Sequence, residues 1–215
     1  MKKKISILLS MLAFSCQSKE KVQDLPHLKP KKPMEIQDKL EVATFAGGCF
    51  WCTEAVLLEL EGVKTVTSGY IGGTTVNPSY SDICRGDTGH AEAIQITFDP
   101  SRISFGELLE VFFATHDPTT LNRQGNDSGT QYRSEIFYHN AIQKKISEDY
   151  IALLTKENTF GKTIVTVISK ASKFYEAEDY HQNYYNQNQS QGYCSYVITP
   201  KIEKVRKQFK EKLKK

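Results

Sequence analysis

The cysteine with the strongest chemical context is Cys49, in the stretch GGCFWCTE at residues 47–54. The apolar run 42–46 before it predicts a buried strand, and the apolar spacing after it predicts a helix. Two glycines between strand and helix allow a sharp turn and a close approach of the backbone to a bound group. Cys49 is thereby predicted at a helix N-terminus, where free N–H groups and the helix dipole favour a thiolate. With Phe50 and Trp51 as exposed rings beside it, such a thiolate is suited to attack on a small apolar group.

A second reactive group is predicted on the strand formed by residues 90–98, whose side chains alternate between two faces. One face carries small or polar residues, namely Ala91, Ala93, Gln95 and Thr97. The other face carries Glu92 together with Ile94, Ile96 and Phe98. A carboxyl group that points toward an apolar core has its charged form disfavoured, so we expect a raised pKa for Glu92.

The elements that must hold these residues alternate irregularly along the chain. Ser104 and Glu107 form a capping box that predicts a helix reaching to about residue 115. Residues 77–89 and 122–129 are predicted loops. The remaining signals predict strands at 62–70, 132–138 and 163–168, a helix at 141–157 and a terminal helix from about residue 200. This order predicts an α+β fold in two layers.

The N-terminal region is predicted to direct export. Three lysines precede a short apolar run at residues 5–14, which is too short to span a bilayer and fits a cleaved signal. LAFSC at residues 12–16 resembles a bacterial lipoprotein box, in which Cys16 is acylated; an ordinary secretory signal is the alternative. We therefore predict a signal at 1–15, acylated Cys16 with a flexible linker through 39, and a catalytic domain at 40–215.

Composition and charge limit the classes of protein that the sequence can represent. The 215 residues are 39% hydrophobic and 25% charged, as in a soluble globular protein. The formal net charge is +3, with 28 basic and 25 acidic side chains, and three of the basic ones lie within residues 1–15. The remainder is neutral, which excludes a nucleic-acid footprint based on overall charge. Five cysteines are too few for a disulfide scaffold in a chain of this length.

Seven motifs occur in an order that resembles the A-type peptide methionine sulfoxide reductases. They extend over nearly all of residues 42–195, and together they are far more specific than any one of them. The motifs are GGCFW (47–51), GYIGG (69–73), NPSY (77–80), CRGDTGHAE (84–92), HDPT (116–119), RQGNDSGTQYRS (123–134) and AEDYHQ (177–182). The resemblance implies a two-layer, ferredoxin-like α/β sandwich with long functional loops.

The same resemblance implies an activity and a set of residue roles. The activity is reduction of methionine S-sulfoxide, protein-bound or free, through a cysteine sulfenic acid. A thiolate attacks the sulfur, and acids protonate the departing oxygen. The implied roles are Cys49 as nucleophile, Glu92 as acid, Tyr80 and Tyr132 as hydrogen-bond donors to the oxygen, Phe50 and Trp51 as the apolar cradle of the methyl group, and Asp127 as a hydrogen-bonding residue of the substrate site.

The cysteine that resolves the sulfenic acid to an intramolecular disulfide has two candidates. Cys194 matches the cysteine of a GYC motif in many family members, although the residues after it are not glycine-rich and suggest a semi-ordered tail. Cys52 lies three residues beyond Cys49 and would share its face of the helix. Cys194 is favoured over Cys52, and Cys84 is interpreted as a packing residue.

The partners implied by the resemblance are oxidised methionine residues in proteins, free methionine sulfoxide and a thioredoxin-like reductant. No bound cofactor, metal or nucleic acid is expected, and a monomer is favoured. With the lipoprotein signal, the protein is expected to be exported, anchored by lipid to the membrane of a bacterial cell envelope, and to repair exported proteins after oxidative damage.

Three other classes are consistent with single features of the sequence. The CFWC stretch at a helix start occurs in thioredoxin-like disulfide exchangers, but that interpretation leaves the motifs around Glu92 and Asp127 unexplained. Cys49, Cys52, Cys84 and His90 could bind zinc, although the second pair is poorly spaced. A lipid-anchored interaction protein without catalysis is disfavoured by the intact Cys49 and Glu92.

Overall fold

The computed structural model of the protein describes residues 40–215. The predicted signal at 1–15, the acylation site Cys16 and the linker through 39 lie outside the described residues. The first strand of the described residues begins at Glu41. No helix between residues 40 and 215 is both long enough and apolar enough to cross a bilayer.

The described chain contains eight strands and six α-helices, joined by 3-10 and π-helical turns. The strands are β1 (Glu41–Gly47), β2 (Val63–Ile71), β3 (Ala91–Phe98), β4 (Arg123–Gln124), β5 (Asp127–Ser128), β6 (Ser134–Tyr138), β7 (Val167–Lys170) and β8 (Tyr175–Glu176). The helices are α1 (Phe50–Leu58), α2 (Tyr80–Arg85), α3 (Phe105–Thr115), α4 (Ala141–Lys156), α5 (Tyr184–Gln187) and α6 (Thr199–Gln208).

Six of the strands form one sheet in the order β7-β6-β1-β3-β2-β8. Its pairs are antiparallel except for β6 and β7, which run parallel. The two central strands are β1 and β3. Glu92 lies on β3, and Cys49 follows the end of β1 by two residues, so both residues are positioned by the middle of the sheet. The mixed sheet with its helices confirms the predicted α+β class.

Alternation along the central strands divides the apolar residues between the two faces of the sheet. Phe45 and Ile94 belong to the main core, where they pack with helices α1, α3 and α6. Ala46, Ala91 and Ala93 point the other way into a smaller cluster with Phe137 and Ile71. The predicted alternation of β3 is confirmed, because Glu92 shares the face of fully buried apolar side chains.

Several predicted boundaries are wrong. The loop 77–89 contains α2, which begins with a capping box in which Ser79 and Asp82 satisfy each other's backbone N–H groups. The loop 122–129 contains the short β4–β5 hairpin. The strand predicted at 163–168 forms later, at Val167–Lys170, where it finds β6 as its partner. β-branched composition alone did not specify where the pairing begins.

Candidate active site

A glycine turn between β1 and α1 positions the nucleophile candidate. Gly48 has φ of +89°, a conformation that favours glycine, and a Cβ there would lie 2.5 Å from Cβ of Gln124. A Cβ on Gly47 would lie 2.6 Å from the ring of Phe112. The two glycines thus let the β4 strand and α3 pack directly against the turn, and Cys49 follows as the N-cap residue of α1.

The thiols of Cys49 and Cys52 share a hydrogen bond. Both cysteines are buried, and the four cysteines of the described chain are all reduced. Burial, the hydrogen bond to Cys52 and the charge of Glu92 raise the pKa of Cys49 well above its usual value, so its predicted lowering is wrong. The hydrogen bond from Cys49 instead lowers the pKa of Cys52 to about 7. The pair therefore loses its first proton easily and its second with difficulty.

The carboxyl group of Glu92 lies next to this pair. Its side chain is 2% exposed, and Oε2 accepts a hydrogen bond from the backbone N–H of Phe50 at 3.2 Å. Burial is the main cause that raises its pKa to about 8; the charges of Asp127 and Cys52 add to it, and the Phe50 N–H opposes it. The predicted rise is confirmed. Glu92 is accordingly protonated at neutral pH, and it is hydrogen-bonded to Phe50, the residue directly after Cys49.

Tyr80 and Tyr132 are brought to the same place from different parts of the chain. Tyr80 is the first residue of α2, and Tyr132 ends the 3-10 turn Thr130–Tyr132. Burial, followed by the charge of Glu92, raises the pKa of both phenols, so both remain protonated donors. The thiol of Cys84 shares a hydrogen bond with the Tyr80 hydroxyl. Cys84 is exposed, so its interpretation as a packing residue is wrong.

The aromatic pair beside Cys49 is less exposed than predicted. Phe50 is buried in the core, and Trp51 is partly buried because its ring stacks on Tyr184 at 3.7 Å with 7° between the planes. The indole Nε1 donates a hydrogen bond to Nδ1 of His181 at 3.2 Å. The ring of His181 also packs on Phe50, with centroids 5.0 Å apart. These contacts form an apolar wall on one side of the cysteine pair.

Asp127 is connected to the cysteine pair through Tyr193, a residue for which the sequence predicted no role. The Tyr193 hydroxyl donates a hydrogen bond to Oδ2 of Asp127 at 2.8 Å and lies 3.7 Å from Sγ of Cys52. Tyr193 also packs edge-on against Trp51, with centroids 6.0 Å apart. The sequence signal that could have identified Tyr193 as a site residue was its position directly before Cys194 in the GYC motif.

Cys194 forms no disulfide with Cys49 in this conformation. It is fully buried at the start of the π-helix Cys194–Ile198, which continues into α6, so the semi-ordered tail predicted after it is instead helical. Burial and the charge of Cys52 raise the pKa of Cys194. Of the two candidate resolving cysteines, Cys52 shares a hydrogen bond with Cys49, and Cys194 lies buried in the same core cluster.

Between residues 40 and 215, no group of three or more His, Cys, Asp and Glu side chains is arranged to hold a metal ion. The four residues considered for zinc do not come together: His90 binds backbone groups of Gly73 and Thr75 through its two ring nitrogens. The zinc interpretation therefore lacks a ligand set in the described part of the chain.

Comparison with known proteins identifies the class. A family model described as peptide methionine sulfoxide reductase matches residues 41–213. A protein of Deinococcus radiodurans named peptide methionine sulfoxide reductase MsrA is 58% identical over 174 residues, which cover 81% of this chain and 84% of that protein. The Saccharolobus solfataricus protein of the same name is 55% identical over 175 residues, 81% of this chain and 98% of that one.

Solved structures agree with the sequence relatives. The crystal structure of Mxr1 from Saccharomyces cerevisiae in reduced form superposes with a TM-score of 0.67 at 37% identity, covering 73% of this chain and 90% of that one. Methionine sulfoxide reductase A of Corynebacterium diphtheriae superposes with a TM-score of 0.64 at 34% identity, covering 83% and 93%. The fold is thus that of a sulfoxide-reducing oxidoreductase. The chain belongs to the peptide methionine sulfoxide reductase A family, and its activity is reduction of methionine sulfoxide in peptides.

Proposed function

We propose that Cys49 carries out this reduction as a nucleophile, with Glu92 as the acid. The observation that carries the proposal is the buried Glu92 carboxyl, held by the N–H of Phe50 beside the hydrogen-bonded Cys49–Cys52 pair. The Cys49 thiolate attacks the sulfoxide sulfur and forms an S–S bond while Glu92 protonates the oxygen. The hydroxyl then passes from the substrate sulfur to Cys49, so that the S–O bond to the substrate and the S–S bond both break and the electron pair of the S–S bond returns to the substrate sulfur. The products are methionine and a sulfenic acid on Cys49.

The thiol pair prepares the attack. In the resting pair the charge lies on Cys52 and the shared proton on Cys49. Attack by Cys49 therefore needs this proton to move along the hydrogen bond to Cys52, which leaves the charge on Cys49 at the N-cap position of α1. A protonated Glu92 places no second negative charge next to that thiolate, which keeps the two groups compatible at neutral pH.

The remaining site residues have binding roles in this proposal. Tyr80 and Tyr132 donate hydrogen bonds to the sulfoxide oxygen as negative charge develops on it. Phe50 and Trp51 form the apolar cradle of the methyl group. Asp127 belongs to the substrate site through its hydrogen bond with Tyr193. The expected substrate is the S-epimer of methionine sulfoxide, in proteins or free.

A second thiol then resolves the sulfenic acid with loss of water, which leaves an intramolecular disulfide for a thioredoxin-like protein to reduce. Cys194 is proposed from the GYC motif and needs the π-helical turn to move, because it is fully buried. Cys52 is the second candidate, favoured by its hydrogen bond to Cys49. Peptide mapping after one substrate equivalent distinguishes a Cys49–Cys194 bond from a Cys49–Cys52 bond.

The test of the central proposal is turnover of the two methionine sulfoxide epimers with dithiothreitol as reductant. Cys49→Ser is expected to abolish reduction in both single and multiple turnover. Cys16→Ser is the matched control in protein expressed without residues 1–15, where Cys16 is not acylated and carries a free thiol, and it is expected to keep the rate. Single-turnover reduction by Cys49→Ser at an appreciable rate would remove Cys49 from the nucleophile role.

The location of the enzyme is proposed from the N-terminal sequence. Export through residues 1–15 and acylation of Cys16 would tether the domain by a linker to a membrane of the cell envelope. There the enzyme repairs exported proteins. It acts as a monomer, without nucleic-acid or metal partners. Mass spectrometry of the mature protein is expected to find lipid on an N-terminal Cys16. An unmodified Cys16, or protein released into the soluble fraction, would contradict the anchor.

A further inference from the structure

The motif AEDYHQ at residues 177–182 has no assigned chemistry, yet it lies against two groups of the proposed site. The Glu178 carboxylate accepts two hydrogen bonds from distant parts of the chain. Its Oε1 accepts the backbone N–H of Tyr80 at 2.8 Å, and its Oε2 accepts the hydroxyl of Tyr70 at 2.9 Å. Since Tyr80 is the first residue of the six-residue helix α2, Glu178 holds the end of the helix from which the Tyr80 phenol extends.

His181 is fixed in one tautomer by its contact with Trp51. Because an indole N–H can only donate, Nδ1 of His181 must be the acceptor of their 3.2 Å hydrogen bond, and the ring proton of the neutral imidazole must be on Nε2. Nε2 has no hydrogen-bond partner within residues 40–215, although the ring is 1% exposed. The nearest carboxylate oxygen is Oε2 of Glu178 at 4.0 Å, which favours a proton on this nitrogen.

The segment that carries both residues is held rigidly on the sheet. The Gln182 side chain accepts the backbone N–H of Ser68 at 2.9 Å and donates to the carbonyl of the same residue at 3.0 Å. The His181 ring packs on the Tyr80 ring with centroids 4.4 Å apart. Strand β2, Tyr80 and Trp51 are therefore connected through one short segment.

We propose that Glu178 and His181 are positioning residues that together place two substrate-binding side chains of the sulfoxide site. Glu178 places the oxygen donor Tyr80 through its backbone N–H, and His181 places the methyl-binding Trp51 by accepting its indole N–H. Glu178 also keeps the His181 proton on Nε2, so that Nδ1 stays an acceptor. The inference rests on the proposed roles of Tyr80 and Trp51.

The two contacts predict different kinetic effects. Glu178→Gln removes the negative charge from both hydrogen bonds, and its amide NH2 obliges the Tyr70 hydroxyl to accept instead of donate if the oxygen stays on the Tyr80 N–H. Because these bonds go to a charged group, we expect the single-turnover rate of sulfoxide reduction to fall roughly ten- to a hundred-fold. His181→Leu removes a neutral acceptor of Trp51, and we expect roughly a three- to ten-fold rise in KM with a smaller change in kcat.

Trp51 is the only tryptophan of the chain, so its fluorescence reports the contact without any substrate. His181→Leu is expected to lower the anisotropy and shift the emission to the red as the ring becomes mobile and hydrated. His181→Asn is the conservative variant, since its Oδ1 can take the place of Nδ1; it is expected to restore both the emission and KM. Glu176→Gln, an exposed site two residues from Glu178, is the matched control and is expected to change neither.

The outcomes separate positioning from stability. Wild-type kinetics in Glu178→Gln together with wild-type emission in His181→Leu would overturn the proposal, as would lower Tm in both variants with no change in rate, KM or emission. If His181→Leu does not fold, His181→Ala, which also lacks an acceptor for the indole N–H, decides: a red-shifted emission supports the proposal and a wild-type emission refutes it. Sulfoxide reduction by Cys49→Ser would contradict the proposed function, while the fluorescence result would still test the contact.

Discussion

The substitution Glu92→Gln tests both the acid role and the physical cause behind it. Glutamine has nearly the same shape, and its carbonyl oxygen can still accept the N–H of Phe50 that Glu92 accepts at 3.2 Å. The variant cannot ionise or donate an acidic proton. We therefore expect an unchanged fold and a single-turnover rate lower by about 10²- to 10⁴-fold, the range for a positioned general acid.

The magnitude for stability follows from the pKa of the buried group. A rise from the ordinary value of 4.5 to about 8 corresponds to on the order of 5 kcal/mol, at about 1.4 kcal/mol for each pKa unit. Because the folded state prefers the protonated carboxyl, this contribution is fully present below the unfolded pKa and is lost as the pH rises through about 8. The glutamine variant does not ionise and keeps its stability, so its free energy of unfolding should increase relative to that of the wild type between pH 5 and 9.

The assay is urea denaturation of both proteins at pH 5, 7 and 9, with equal m-values as the check that the unfolded states are comparable. Glu176→Gln, at an exposed site, is the control for a change of net charge. In parallel, the wild-type rate should rise as the thiol pair ionises near pH 7 and fall as Glu92 loses its proton near pH 8. The descending limb should be absent in Glu92→Gln.

Two results would refute the reasoning. A stability difference between wild type and Glu92→Gln that stays constant from pH 5 to 9 would show that the carboxyl is not held neutral by burial. A wild-type rate in the variant at every pH would show that the proton comes mainly from Tyr80, Tyr132 or water.

The remaining predictions concern the turn and the oxygen donors. Gly48→Ala should destabilise the protein by about 1–3 kcal/mol in urea denaturation, because φ of +89° and a Cβ 2.5 Å from Gln124 both oppose it. Gly125→Ala is the control for the φ effect alone, since Gly125 has φ of +59° and open space around its Cβ position. Equal losses of stability in the two variants would exclude a contribution from the clash at Gly48. Tyr80→Phe and Tyr132→Phe should each slow single-turnover reduction by about ten-fold. The double variant should lose at least the product of the two, since both donors serve one oxygen and the remaining donor compensates in part for a single loss. Wild-type rates in both single variants and in the double variant would remove this role.

The sequence was sufficient for the features that depend on near neighbours in the chain. The strand, the two glycines and the helix start around Cys49 were predictable because turn and helix signals act over a few residues. The capping box at Ser104 and the alternation that turns Glu92 toward the core follow from helix and strand periods. The element types around these residues, and with them the α+β class, therefore follow from local patterns in the chain.

The tertiary structure alone decided the electrostatics and the contacts of the site. Burial, followed by the thiol–thiol hydrogen bond, raises the pKa of Cys49 where its helix position predicts a lowered one, and neither cause is visible in a local pattern. Glu178 meets Tyr80, 98 residues away, and Tyr193 meets Asp127, 66 residues away. Such contacts and the loss of water around a charge depend on which segments the whole fold brings together, whereas propensity and periodicity reach only a few residues along the chain.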